Sequence, residues 1–174
     1  RVNQRHNGQI LPLIRIMKYW NEHNRHAPTI GSYHLETMLL KGFEYSNPIS
    51  DVKSGVIPAF RILQSAILST CNDPKGLGEP LDADMAVLDR VSFSAAAQTM
   101  ADRLYGVLIS EILGLHENAI KVWQTVFPHF PDYEQVFEAR EQYWRPHLIE
   151  LRQTPVRLLE AALVLDKLPR LADE

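Results

Sequence analysis

Apolar side chains at Ile10, Leu13, Ile14, Met17 and Trp20 recur at the spacing of one helix face, and the same kind of stripe returns repeatedly down the chain. Nowhere do apolar and polar residues alternate with period two over a useful length, which argues against any substantial sheet. The first helix is therefore expected at 10–23. Pro28 and Gly31 punctuate a turn, and Ser32 has the chemistry of an N-cap for a buried helix over 33–41, closed by Gly42. After Asn47 and Pro48 the pattern predicts a long helix over 51–70, kinked at Pro58. Two prolines, two glycines and charge make 72–80 the clearest loop. A helix over 93–113 follows, with Ala95, Ala96, Met100, Leu104, Val107, Leu108 and Ile112 as its inner face and Gly114 as its stop. Helices over 117–127, 132–143 and 155–165 complete an all-α, compact multi-helix bundle. Leu158, Leu159, Ala162, Leu163 and Leu165 form a stripe suited to a core or to docking another domain.

At 174 residues the chain is long enough for one domain with a real core. Its net charge of −3 gives no global basic field, so nucleic acid is not an expected partner, although Arg1, Arg5, Arg15, Lys18 and Arg25 gather positive charge near the N-terminus. No apolar run approaches the ~20 residues of a membrane span, and no secretory signal pattern opens the chain. The single cysteine, Cys71, excludes an internal disulfide and fits a reducing compartment; a cytoplasmic protein with no membrane partner is expected. The chain begins at Arg1 and enters a helical pattern almost at once, as a fragment of something longer would.

Three residues can carry chemistry. Arg15 and Lys18 share a helix face, and Lys18 either pairs with Glu22 one turn on or offers its ammonium to a phosphate. Ser32 and Tyr33 stand at a helix start, where free backbone N–H groups favour an anion. Ser32 either caps the helix or donates to a phosphate oxygen, and Tyr33 is either buried or available to stack on a base. His23, His26 and His34 cluster in sequence without the carboxylate or cysteine partners of a metal site. Asp82 and Asp84 have the spacing of a metal-binding carboxylate pair but fall in a loop, where a structural role is the more natural reading.

The run Leu13 to Asn21, a short loop, and then Ser32, Tyr33, His34, Leu35 and Glu36 resemble the first two helices after the catalytic domain of polymerase-β-type nucleotidyltransferases. The resemblance is to the cGAS/DncV-like group (CD-NTases), specifically its C-terminal helical, oligoadenylate-synthetase-like domain. The loop at Asn72, Asp73 and Pro74, the helix over 93–113, and a closing element with Ala119, Ile120, Trp123, Phe127 and Pro128 extend the likeness across residues 9–131. These enzymes make cyclic or linear oligonucleotide messengers in bacterial anti-phage signalling. The resemblance implies that Lys18 and Ser32 hold the triphosphate of an NTP and that Tyr33 packs on or near the base. It implies structural roles for Trp20, Leu35 and Glu36 between the two helices, a loop-forming role for Asp73 and Pro74, and core positions for Trp123, Phe127 and Pro131. Residues 1–131 would be the helical lobe and 132–174 further helices packed on it. The family's Gly-Ser turn and paired acidic strands are missing, because Gly31 and Ser32 lead into a helix. The Mg²⁺ ligands and catalytic carboxylates would then belong to an absent N-terminal lobe, and this chain alone would contribute no catalytic residue. The competing reading is a non-catalytic helical protein-interaction module. It predicts a polar outer surface, whereas half of a divided enzyme predicts an exposed apolar one.

Overall fold

A computed structural model describes residues 1–76 and 78–136, and every described element is a helix. The order is α1 (Val2–Arg5), α2 (Ile10–His23), α3 (Ser32–Phe43), α4 (Val52–Ala66), α5 (Val87–Ile112) and α6 (His116–Val126). The fold is all-α. The stripe over 155–165 and most of 132–143 lie outside the described residues.

Helix α2 has the expected bounds, and its apolar stripe is buried from Ile10 to Trp20. Trp20 lies at the centre of the core. Its ring meets Phe60 of α4 edge-on at a centroid distance of 4.9 Å and Phe93 of α5 at 5.6 Å. Such edge-to-face pairs add about 0.5–1.5 kcal/mol to the burial of each ring. One aromatic thus joins three helices, with α4 packed between α3 and α5 and α6 packed on α5.

Where helices start and stop, local chemistry explains α4 well. Asp51 accepts from the Ser54 N–H at 2.7 Å while the Ser54 hydroxyl faces the Asp51 N–H, a capping box. Helix α4 ends at Ala66, four residues before the expected Thr70, and contains Pro58.

Further expected boundaries are corrected, and α5 begins at Val87, six residues before the expected Phe93. Gly42 does not end α3, which continues to Phe43. A Cβ at position 42 would lie 2.3 Å from Ile62 Cγ2, so this glycine is required by the close approach of α3 to α4. Ser32 is not the N-cap: Gly31 occupies that position and Ser32 is the first helical residue. The inner face of α5 is also shifted. Phe93, Ala96, Ala97, Met100, Ala101, Leu104 and Val107 are buried, while Ala95 is exposed, Leu108 is 40% exposed and Ile112 is 84% exposed.

The short α1 had no periodicity to reveal it. It is held by His6, fully buried, whose Nε2–H donates to the Phe43 carbonyl at 2.9 Å while Nδ1 accepts from the Ile49 N–H at 3.3 Å. Arg5 donates to the same carbonyl at 2.8 Å.

Candidate functional site

Lys18 projects from the middle of α2, its side chain 29% exposed, and its Nζ reaches Glu36 Oε2 of α3 at 2.7 Å. The pairing with Glu22 that spacing alone allows does not form; a residue on the neighbouring helix takes its place. Glu36 is four residues after Ser32, so the two share one face of α3, a turn apart. The Lys18 ammonium therefore lies against the face of α3 that carries Ser32. Arg15 is exposed and makes no ion pair among the described residues.

At the start of α3 the first-turn N–H groups have no acceptor within the helix, and no side chain caps them. Ser32 is exposed and its hydroxyl makes no hydrogen bond among the described residues. The helix dipole adds partial positive charge at the same end. An exposed hydroxyl, open backbone donors and a nearby ammonium make a combination that can hold an anion.

Tyr33 is not buried: it is 46% exposed, and its hydroxyl donates to Asp73 Oδ1 at 3.1 Å. Partial desolvation, and then the Asp73 carboxylate, push the phenol above its ordinary value, so it stays protonated and keeps donating. Asp73 also accepts from the Lys75 N–H at 3.1 Å, and its carbonyl accepts from the Gly76 N–H at 2.9 Å. The pair Asp73 and Pro74 thus shapes the loop beside α3. Lys41 donates to the Asn72 carbonyl at 3.1 Å and ties the same loop to the far end of that helix.

Behind this loop sits Asp82, only 2% exposed. It accepts from the Cys71 N–H at 2.8 Å and forms an ion pair with Arg90 of α5. Arg90 also donates to the Asp82 carbonyl at 2.8 Å. Burial raises the carboxyl, but the Cys71 N–H and the Arg90 guanidinium outweigh it and hold Asp82 below its ordinary value. Both carboxylate oxygens are committed, so Asp82 and Asp84 do not form a metal-binding pair. The residues described here do not fit the two Mg²⁺ ions that the family resemblance implies. No group of three or more His, Cys, Asp or Glu among them is placed to hold a metal ion. Cys71 is buried, and burial pushes its thiol up, which keeps it unreactive.

Of the three histidines close in sequence, His23 and His26 line one cleft and His34 does not. His34 is buried on α3, and desolvation lowers its pKa. His23 instead meets His129, with ring centroids 5.6 Å apart. Sequence spacing gave no signal for this partner, because the turn after α6 brings it there.

No helix among the described residues is long and apolar enough to cross a membrane. No protein-family model matches the chain. Over 136 residues, 76% of its length, the chain is 33% identical to a probable cyclic nucleotide synthase of Bacillus cereus (strain VD146). The matched part spans 39% of that relative's length. The chain is thus a distant homologue of part of a probable cyclic nucleotide synthase.

Proposed function

We propose that this chain is the helical, nucleotide-holding lobe of a nucleotidyltransferase that makes cyclic or linear oligonucleotide messengers, serving anti-phage signalling. Lys18 and Ser32 hold the triphosphate of an NTP, and Tyr33 packs near its base. The observation that carries this reading is the Lys18–Glu36 contact, because it sets a solvent-reachable ammonium against the Ser32 face of α3. A bound triphosphate takes over the ammonium from Glu36, and the unpaired Ser32 hydroxyl and first-turn N–H groups of α3 add donors to it. Charge that builds on the departing pyrophosphate is then stabilised by groups already in position. The metal ions and the in-line geometry come from a catalytic lobe outside this chain.

The exposed apolar residues support a divided enzyme over a self-contained interaction module. Val87, Leu88 and Val91 at the start of α5 are 74%, 78% and 51% exposed. Arg90, within the same turn, is tied through Asp82 and Cys71 to the loop that holds Tyr33.

The test is nucleotide turnover by a full-length protein that includes a catalytic lobe. Lys18→Ala is expected to raise KM for the NTP by about 10- to 100-fold, the worth of one charge-assisted hydrogen bond. Its circular dichroism and melting should stay close to wild type, since the ion pair lost is partly exposed. Unchanged kinetics would remove the phosphate role.

A further inference from the structure

A cleft of about 440 Å³ opens at the C-terminal end of α2, against the turn that follows α6. Its apolar lining is the exposed Pro128 with the edges of the buried Trp20, Met100 and Val126, and His23, Arg25, His26 and His129 stand around it. Lys18 and Glu36 are not among its lining residues, and Arg25 lies past the end of α2 at His23. The volume falls within the range of small-molecule sites, about 300–1,000 Å³.

Arg25 is the one Lys, Arg, Asp or Glu among its described lining residues. No carboxylate lines the cleft among the described residues. Arg25 makes no ion pair there, although the chain as a whole is acidic. The histidine pair is held in place by Tyr19. Its ring stacks on His23 at a centroid distance of 4.1 Å, and His23 Nδ1–H donates to the Tyr19 carbonyl at 2.8 Å. The Tyr19 hydroxyl meets His129 Nδ1. Burial pushes the Tyr19 phenol up, so it remains a donor, and a His129 ring that accepts it at Nδ1 has its N–H on Nε2. That Nε2–H makes no hydrogen bond among the described residues. An unpaired guanidinium and an oriented imidazole N–H suit a phosphate group, which takes several donors and is recognised well by arginine.

We infer that this cleft is a second anion site, separate from the Lys18 and Ser32 face, which binds a phosphate-bearing small molecule through Arg25 and His129.

Calorimetric titration of the 174-residue chain with pyrophosphate, at low ionic strength, tests this. Saturable binding is expected. Arg25→Ala and His129→Ala should each weaken it by about tenfold, the loss of one charge-assisted bond, while His129→Gln, which keeps a donor, should lose less. Lys18→Ala should leave the cleft's affinity unchanged, and the His23 and His129 ring signals in NMR spectra should shift on titration. Tighter binding of ATP than of pyrophosphate would add a nucleoside contact in the cleft, and equal binding would make the phosphate group the whole determinant; both outcomes keep the site. Absence of binding, or binding that Arg25→Ala leaves intact and Lys18→Ala abolishes, overturns it. Arg25 and His129 are exposed, so neither substitution threatens the fold.

Discussion

Helices α2 and α5 dispose of their apolar residues in opposite ways. Along α2 nearly every large apolar side chain is buried, and Leu11, half exposed, is the exception among the aliphatic residues. Along α5 the buried stripe runs only from Phe93 to Val107. Beyond it Leu108, Ile109 and Ile112 are 40%, 60% and 84% exposed, and Val87, Leu88 and Val91 stand out at the other end. The α2 stripe is satisfied by α3 and α4 within this chain. These outward side chains near the two ends of α5 are left exposed by the described residues, although Arg90 and Glu111 beside them are paired. Partnered and unpartnered apolar surface on one domain distinguishes what the chain needs in order to fold from what remains for an interaction.

The sharpest test of that contrast is Trp20→Ala. It removes the ring that joins α2, α4 and α5, and should cost about 3–5 kcal/mol in urea unfolding. A loss below about 1 kcal/mol would mean that α2 is not the centre of the core. Next comes Arg90→Ala, which strands the buried Asp82 carboxylate and should cost roughly 3 kcal/mol, with Asp82→Asn recovering part of the loss in the double variant. If Arg90→Ala melts like wild type, the loop between α4 and α5 does not depend on that pair.

Acid should act in the same direction on two groups. His34 has a folded pKa below its ordinary 6.5 because burial disfavours the cation, with Asp82 opposing and Arg90 reinforcing that shift. The unfolded chain therefore takes up the proton first, and this contribution is complete above about 6.5 and lost as pH falls through the folded value. Asp82, held below its ordinary 3.8, contributes above that pH and fails at still lower pH. The urea midpoint should drop between about pH 7 and 5, and His34→Gln should flatten that slope. An equal slope in the variant would assign the acid loss elsewhere. The smallest effect is expected from Ile112→Ser at the exposed end of α5, within about 0.5 kcal/mol. A large loss there would mean that this end is covered after all.

The periodic apolar spacing determined the helices that carry the proposed nucleotide face. It placed α2 at its bounds and put Lys18 and Ser32 on adjacent helices, because a helix announces its buried face every three or four residues. Local chemistry along the chain could not decide the partners. Lys18 pairs with Glu36 across helices and not with Glu22 within one, and Gly42, which reads as a helix stop, is a contact point for Ile62. Tyr33 reads equally as buried or free, and its hydrogen bond to Asp73 selects the exposed position. His129 comes to His23 only through the turn after α6, and Leu108 and Ile112 fall outside the core while Glu111 beside them is held by Lys53 of α4. Helix formation depends on neighbours a few residues away, whereas ion pairs, close approaches and clefts depend on which faces meet, and that is settled by packing across the whole domain.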